Sequence, residues 1–263
     1  MAERNYTLGR GKLFFAQFLA GTKTIDKGER YIGNTPAFGL NVESEILDHF
    51  DSDSGVRIKD DAALLQLIRS GQFTTDDIDI KNMSLFLLGS DSTQVQGSAT
   101  GVVFPSTVLH RDMWYQLGVT TANPSGVREV STVVLTKTAG SVALVQNTDY
   151  ELDAALGRFR ILPTSSVITA NGDACTGTFN VAAKSRVQVI TAANTVLEGA
   201  MRFIANNPKG EKRDFFMPYV RLTPNGEFSI KSDEWQQLSF NVEILKRDDS
   251  TESIYCDGRA YTP

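Results

Sequence analysis

Two histidines, two cysteines and eight prolines are all that 263 residues hold of these types. A hydrolase needs a nucleophile, a base and an orienting group, and little here could supply them. His49 and His110 fall in polar, loop-like stretches, each without a spaced partner, and no G-x-S-x-G elbow accompanies them. Cys175 and Cys256 are too sparse and too far apart for a disulfide framework or a zinc site, so both are expected to be reduced thiols. No G-x-x-x-x-G-K-[ST] run occurs, and Gly9 and Gly11 precede strand-like rather than helix-like sequence, which leaves phosphate cradling without a basis. No stretch approaches the ~20 apolar residues of a membrane span, and the opening MAERNYTLGRGK lacks the apolar core of a signal peptide, so the chain is expected to stay in the cytosol where it is made. Cations are in deficit: 26 basic against 31 acidic side chains leave a net charge of -5, which argues against a surface built to grip phosphates through counterion release. The aromatics lack interleaved Lys or Arg clusters and so suit a core better than a base-stacking platform. The expectation is a protein that is not an enzyme and has no cofactor and no metal.

What is present is ordinary globular material, 41% hydrophobic and 22% charged, and long enough for one large β domain or a core with a substantial insertion. Lys12 to Ala20, with Phe14, Phe15, Phe18 and Leu19, is the first strand signal, preceded by a polar arm over residues 1–9. From Tyr31 the pattern alternates: Phe38, Leu40, Val42 and Ile46 share one face, and Gly39, Asn41, Glu43 and Glu45 share the other, which predicts a half-buried strand with an acidic outer face. Between Ile46 and Ala62 the run LDHFDSDSGVRIKDD has little apolar periodicity and predicts a long solvated loop. Asp48, Asp51, Asp53 and Gly55 invite comparison with a calcium loop, but the glycine and glutamate positions of an EF-hand are wrong and the flanks look like strands.

Strand character resumes over Leu64 to Thr75. TTDDIDIKNMSLFLLG then predicts one short helix, capped by Thr or Asp, ended by Gly89 at C′, and packed on a sheet through Met83, Phe86 and Leu87. Texture changes between about Asn123 and Thr191, where short alternating runs are broken by turn signals. Within it NTDYELDAALGRFRILP predicts a hairpin turning near Gly157. The organisation expected is an arm over 1–9, a core over 10–122 and 192–263, and an inserted β module or elaborated outer loop over 123–191. Strong strand signals return at Val196 to Asn206 and Phe215 to Thr223, followed by a PNG turn. In a second half-buried strand, Leu238, Phe240, Val242 and Ile244 alternate with Ser239, Asn241 and Glu243.

Three segments carry a resemblance beyond periodicity: YIGNTPAFGLNVESEILDHFDSDSGVRIKDD, TTDDIDIKNMSLFLLG, and LEGAMRFIANNPKGEKRDFFMPYVRLTPNGEFSIKSDEWQQLSFNVEIL. Together, in order and spacing, they resemble the tail tube proteins of long-tailed bacteriophages. The resemblance implies a mainly β fold of two packed antiparallel sheets, a sandwich or small barrel, with one flanking short helix and a β-rich insertion. It implies six copies joined in a ring, rings stacked into a hollow tube in the virion tail after assembly in the host cytoplasm, and double-stranded DNA passing through the lumen without tight binding. The expected partners are the chain itself, a tape measure protein, and tail tip and terminator proteins.

On this reading Asn41, Glu43, Glu45, Ser239, Asn241 and Glu243 line the lumen, because a wall of Lys and Arg would bind phosphates and stall ejection. The segment with Asp48, Asp51, Asp53, Arg57, Lys59, Asp60 and Asp61 resembles the family's long loop toward the neighbouring ring, with Arg57 and Lys59 as pairing partners. Two alternatives share the β-rich pattern: a tube subunit of a contractile protein-delivery system, and a carbohydrate-binding β-sandwich.

Overall fold

A computed structural model describes residues 6–53, 55–191 and 196–259. In chain order, β1 (Gly11–Gln17), β2 (Arg30–Tyr31), β3 (Ala37–Asp51) and β4 (Ile58–Thr75) precede helix α1 (Ile80–Phe86). Then follow β5 (Ser90–Gln96), β6 (Ala99–Leu109), β7 (Trp114–Gln116), β8 (Val130–Lys137), β9 (Val142–Ala143), β10 (Tyr150–Asp153), β11 (Arg158–Ile161) and β12 (Asp173–Val181). The chain closes with β13 (Lys184–Ile190), β14 (Leu197–Ala205), β15 (Lys212–Asn225), β16 (Leu238–Ile244) and β17 (Tyr255–Arg259). The protein is mainly β, and the strand pairs whose registers are defined are antiparallel. It divides into two compact units, one drawn from residues 1–92 and 189–263, the other spanning Thr93–Gln188.

The first unit is built on one sheet in the order β2-β1-β14-β15-β16-β4-β3, with β17 pairing β15 beside that path. Its core side carries Leu13 and Phe15 of β1, Met201 of β14, Val220 and Leu222 of β15, Phe73 of β4, and Leu238, Phe240, Val242 and Ile244 of β16, all buried. The alternation of β16 therefore corresponds to a half-buried strand, as its sequence predicts. Phe73 and Phe240 stack with centroids 4.9 Å apart, and Phe38 of β3 meets Phe203 of β14 at 5.9 Å although three strands separate β3 from β14 in the sheet. The sheet thus curls so that its two arms pack face to face, in keeping with the mainly β, antiparallel fold expected.

Two local features allow the curl. Opposite Gly199, β14 and β15 slip register, and a Cβ there would lie 2.3 Å from the Ala16 carbonyl oxygen, so only glycine fits the close approach of β1. Pro218, which has no N–H to donate, lies on β15 between the stretch that pairs β17 (Lys212–Phe216) and the stretch that pairs β16 (Val220–Asn225).

Helix α1 closes the core. The Asp79 carboxylate accepts from the Asn82 N–H at 2.6 Å as N-cap. The left-handed C′ position falls on Leu88 (φ 50) rather than on Gly89. Leu88 N–H donates to the Leu85 carbonyl and Gly89 N–H to the Ser84 carbonyl, the two bonds of a Schellman cap. Leu88 tolerates the strained backbone because its side chain packs on the core. The buried face is also shifted from the expected one: Leu85 and Phe86 face the core while Leu87 is exposed. Buried Asn82 fixes the helix laterally, donating to the Ile32 and Asp77 carbonyls and accepting from Arg30.

The second unit is a small sandwich. A four-stranded sheet, β6-β12-β8-β9, and a three-stranded sheet, β10-β11-β7, share a core of Phe104, Leu135, Tyr150, Phe159, Ile161, Cys175 and Phe179 among others. The hairpin expected around Gly157 is present as β10 and β11. Buried Asp149 is satisfied by the Val145 N–H and the Ser165 hydroxyl. This unit begins at Thr93 rather than near 123, because β6 and β7 pair with β12 and β11 from within it.

Of the arm expected over residues 1–9, residues 1–5 lie outside the described residues. Leu8 is not loose, since its N–H donates to the Lys209 carbonyl at 3.1 Å.

Candidate functional site

The two sets of polar residues singled out on β3 and β16 lie on one face of the first unit's sheet, joined by β4. Asn41 is opposite Ser70, which is opposite Glu243; Gln72 is opposite Asn241; Thr74 is opposite Ser239, their hydroxyls 3.2 Å apart. Glu43 and Glu45 continue the face along β3, and Asn41 donates to Glu43 at 2.7 Å. Leu238, Phe240, Val242 and Phe73 occupy the opposite, core face, so strand alternation fixes the polar side outward.

Ser70, Gln72 and Thr74 belong to this strip but were not read from the sequence. Their own alternation with Gly71, Phe73 and Thr75 carried the signal. Arg221 of β15 also joins the strip opposite Glu243. It contacts Glu198 at 3.0 Å and Glu243 at 3.4 Å, so this cation is held between two carboxylates. The Tyr219 hydroxyl, donating at 2.7 Å, and the Arg221 guanidinium hold the Glu198 carboxyl below the usual carboxylate range.

The acidic segment is strand, not the expected loop. β3 runs to Asp51 and β4 starts at Ile58, leaving only a short turn between. Asp48 and Asp51 therefore sit on β3, Asp53 in the turn, Arg57 just before β4, and Lys59, Asp60 and Asp61 on β4. Lys59 pairs with Asp48 at 2.5 Å and His49 meets Asp60 at 2.6 Å, whereas Arg57 lies over the Phe50 ring at 5.0 Å. Asp51 accepts from the Asp53 N–H, and Asp61 from the Ala62 N–H.

β3 is exposed along nearly its whole length, which corrects the half-buried expectation. Pairing of β4 with β16 stops at Arg69, so Ile58–Ile68 pairs with β3 alone among the described residues. The hairpin extends roughly 35 Å beyond that point at about 3.4 Å per residue. Its core-side face carries Val42, Ile46, Leu64 and Leu67, all exposed. Alternation foretold that this face would be covered; nothing within the chain's described residues covers it.

Where β3 begins, a groove of about 1080 Å³ opens between it and the start of β1, lined by Arg10, Phe38, Leu40, Gln72, Phe203 and Phe215 among others. Among the described residues no group of three or more His, Cys, Asp or Glu side chains is gathered to hold a metal ion, and no helix is long and apolar enough to cross a membrane.

Fold and surface together define a two-unit, mainly β protein whose first unit carries a polar strip and an uncovered apolar hairpin. The chain belongs to the family described as protein of unknown function UCP028589, which it matches over residues 6–254. No curated protein matches it.

Proposed function

We propose that the protein is the subunit of a bacteriophage tail tube, a structural component that assembles with copies of itself into stacked rings around a DNA-conducting lumen. The observation that carries this reading is the β3–β4 hairpin. It is a two-stranded ribbon with apolar side chains on its core-side face and open backbone edges, which is at best marginally stable in water by itself. Neighbouring copies that extend the sheet would satisfy its backbone and cover Val42, Ile46, Leu64 and Leu67. Ring closure removes edges altogether.

The opposite face supports a lumenal role. Asn41, Glu43, Glu45, Ser239, Asn241 and Glu243 share one largely polar face, interrupted by Ile68 opposite Glu43, and the adjoining Arg221 is already paired with two carboxylates, so the six offer phosphates little to hold. The hairpin end, with the Asp48–Lys59 ion pair and the contact of His49 with Asp60, suits a contact between successive rings, an exposed ion pair contributing under about 1 kcal/mol.

Negative-stain microscopy of the concentrated protein tests the reading. Rings or tubes with a stain-filled channel are expected, and a chain that stays monomeric even with a tail initiator present refutes it. Replacing Glu43, Glu45 and Glu243 together with lysine should leave tubes intact and slow genome release. Unchanged release would remove the three from the lumen.

A further inference from the structure

After β15 the chain forms no strand until β16, and residues 227–237 fold on themselves. Gln236 donates to the Ser229 and Ile230 carbonyls, and the Ser232 hydroxyl donates to the Glu234 carbonyl while accepting from the Glu234 N–H. These bonds pre-order a loop that presents two large apolar side chains to water, Trp235 at 93% and Ile230 at 84% exposure. Indoles are enriched among the side chains that anchor interfaces, because they offer large contact area at small conformational cost. Asp233 and Glu234 immediately precede Trp235 and take part in no ion pair among the described residues.

The same unit holds a receptor of matching character. The groove beside β3 is lined by Phe38, Phe203 and Phe215 with Leu40 and Gln72, and Arg10 contributes a cation whose side chain, among the described residues, donates to the Gly9 carbonyl. Its volume of about 1080 Å³ exceeds what one indole needs. None of residues 227–237 lines it. Leu40 also lies two residues before Val42 on the same side of β3, so the groove runs directly into the uncovered hairpin face.

We propose that Trp235 of one copy docks in the β3 groove of a second copy, with Asp233 and Glu234 facing Arg10. Loop and groove are different surfaces, so the contact is head-to-tail, the type that propagates around a ring or along a stack. The inference rests on the self-assembly reading and specifies which surfaces meet.

The test uses the full chain with a photo-reactive p-benzoylphenylalanine in place of Trp235, mixed with isotope-labelled wild type. Adducts on Phe38, Leu40, Phe203 or Phe215 of the labelled chain are expected. Adducts within the same chain, or elsewhere on a second copy in assembled species, overturn the docking while leaving self-assembly standing. A wild-type chain that never associates overturns both. Independently, Trp235→Ala should weaken association by about 30-fold or more without altering monomer unfolding, as expected for loss of a hot-spot anchor. Arg10→Glu alone and Asp233→Lys with Glu234→Lys should each weaken it, and the three changes combined on one chain should restore most of the loss. Failure of the combination to recover overturns the charge pairing.

Discussion

Replacing Val42, Ile46, Leu64 and Leu67 with threonine keeps strand propensity and removes most of the apolar character from the core-side face of the β3–β4 hairpin. Fully burying such a side chain stabilises by about 1.5–3 kcal/mol. In the single chain these four are 59, 54, 60 and 41% exposed, so about half of that stabilisation is still available to a contact with another copy. Threonine retains a methyl group and part of the area, which leaves a loss of roughly 0.5–1 kcal/mol per site, or about 2–4 kcal/mol for the four together. That corresponds to roughly 30- to 1000-fold weaker association at each contact. Folding should hardly notice, because exposed substitutions usually stay within about 0.5 kcal/mol each. Sedimentation velocity across a concentration series reads the first quantity, and urea unfolding of the dilute chain reads the second. Unchanged assembly would show that this face is not buried between copies. A large drop in the unfolding midpoint would show that it is covered within one chain, and either result breaks the argument.

Three further outcomes follow from the two cores. Phe240→Ala removes one ring of a stacked, fully buried pair and should cost about 3–5 kcal/mol, read as a lower urea midpoint for the first unit; a cost under about 1 kcal/mol would mean the core is not packed around it. Burial, with the Asp173 carboxylate nearby, pushes the Cys175 thiol up to about 11, so at neutral pH a thiol reagent should modify Cys256 and spare Cys175 until the second unit unfolds; equal labelling of both refutes the buried position. Hydrogen bonding to Lys137, at 2.8 Å, lowers the Asp173 carboxyl from 3.8 to about 2. Its folded value is depressed, so its contribution is complete above pH 3.8 and is lost as pH falls towards about 2; acid titration of Lys137→Met should show a smaller decline over that window, and an identical decline would deny the linkage.

Where strands are short-range and regular, the residues announce them. Leu238, Phe240, Val242 and Ile244 alternate without interruption, and β16 is buried on that side. β3 alternates just as well, yet its apolar side is exposed, because period 2 shows that a face wants cover and not which chain provides it. The acidic hairpin end escapes the pattern for a local reason: the register slips leave Leu65 and Asp60 of β4 without a partner on β3 and break the alternation of β4, while charged and polar residues fill both faces of the tip, so strand resembles loop. The unit boundary was missed for a non-local one. Leu109 pairs with Asp173, and nothing near residue 99 reveals a partner so distant. The lumen candidates on β3 and β16 were legible one strand at a time, while their union into a single strip depends on β4, whose Ser70, Gln72 and Thr74 were passed over. The helix was found, but its cap fell on Leu88 because tertiary packing outweighed the glycine preference.

Thr93–Gln188 departs and re-enters through β5 and β13, two strands that pair with each other. Its first and last residues are therefore neighbours, and the buried cluster around Phe159, among the described residues, is drawn from this unit's own strands and loops. A short turn could close the ribbon where the sandwich now sits, or a different fold with adjoining ends could be grafted there. That arrangement makes this portion an exchangeable cassette, able to diverge or be swapped while the sheet that carries the polar strip keeps its sequence.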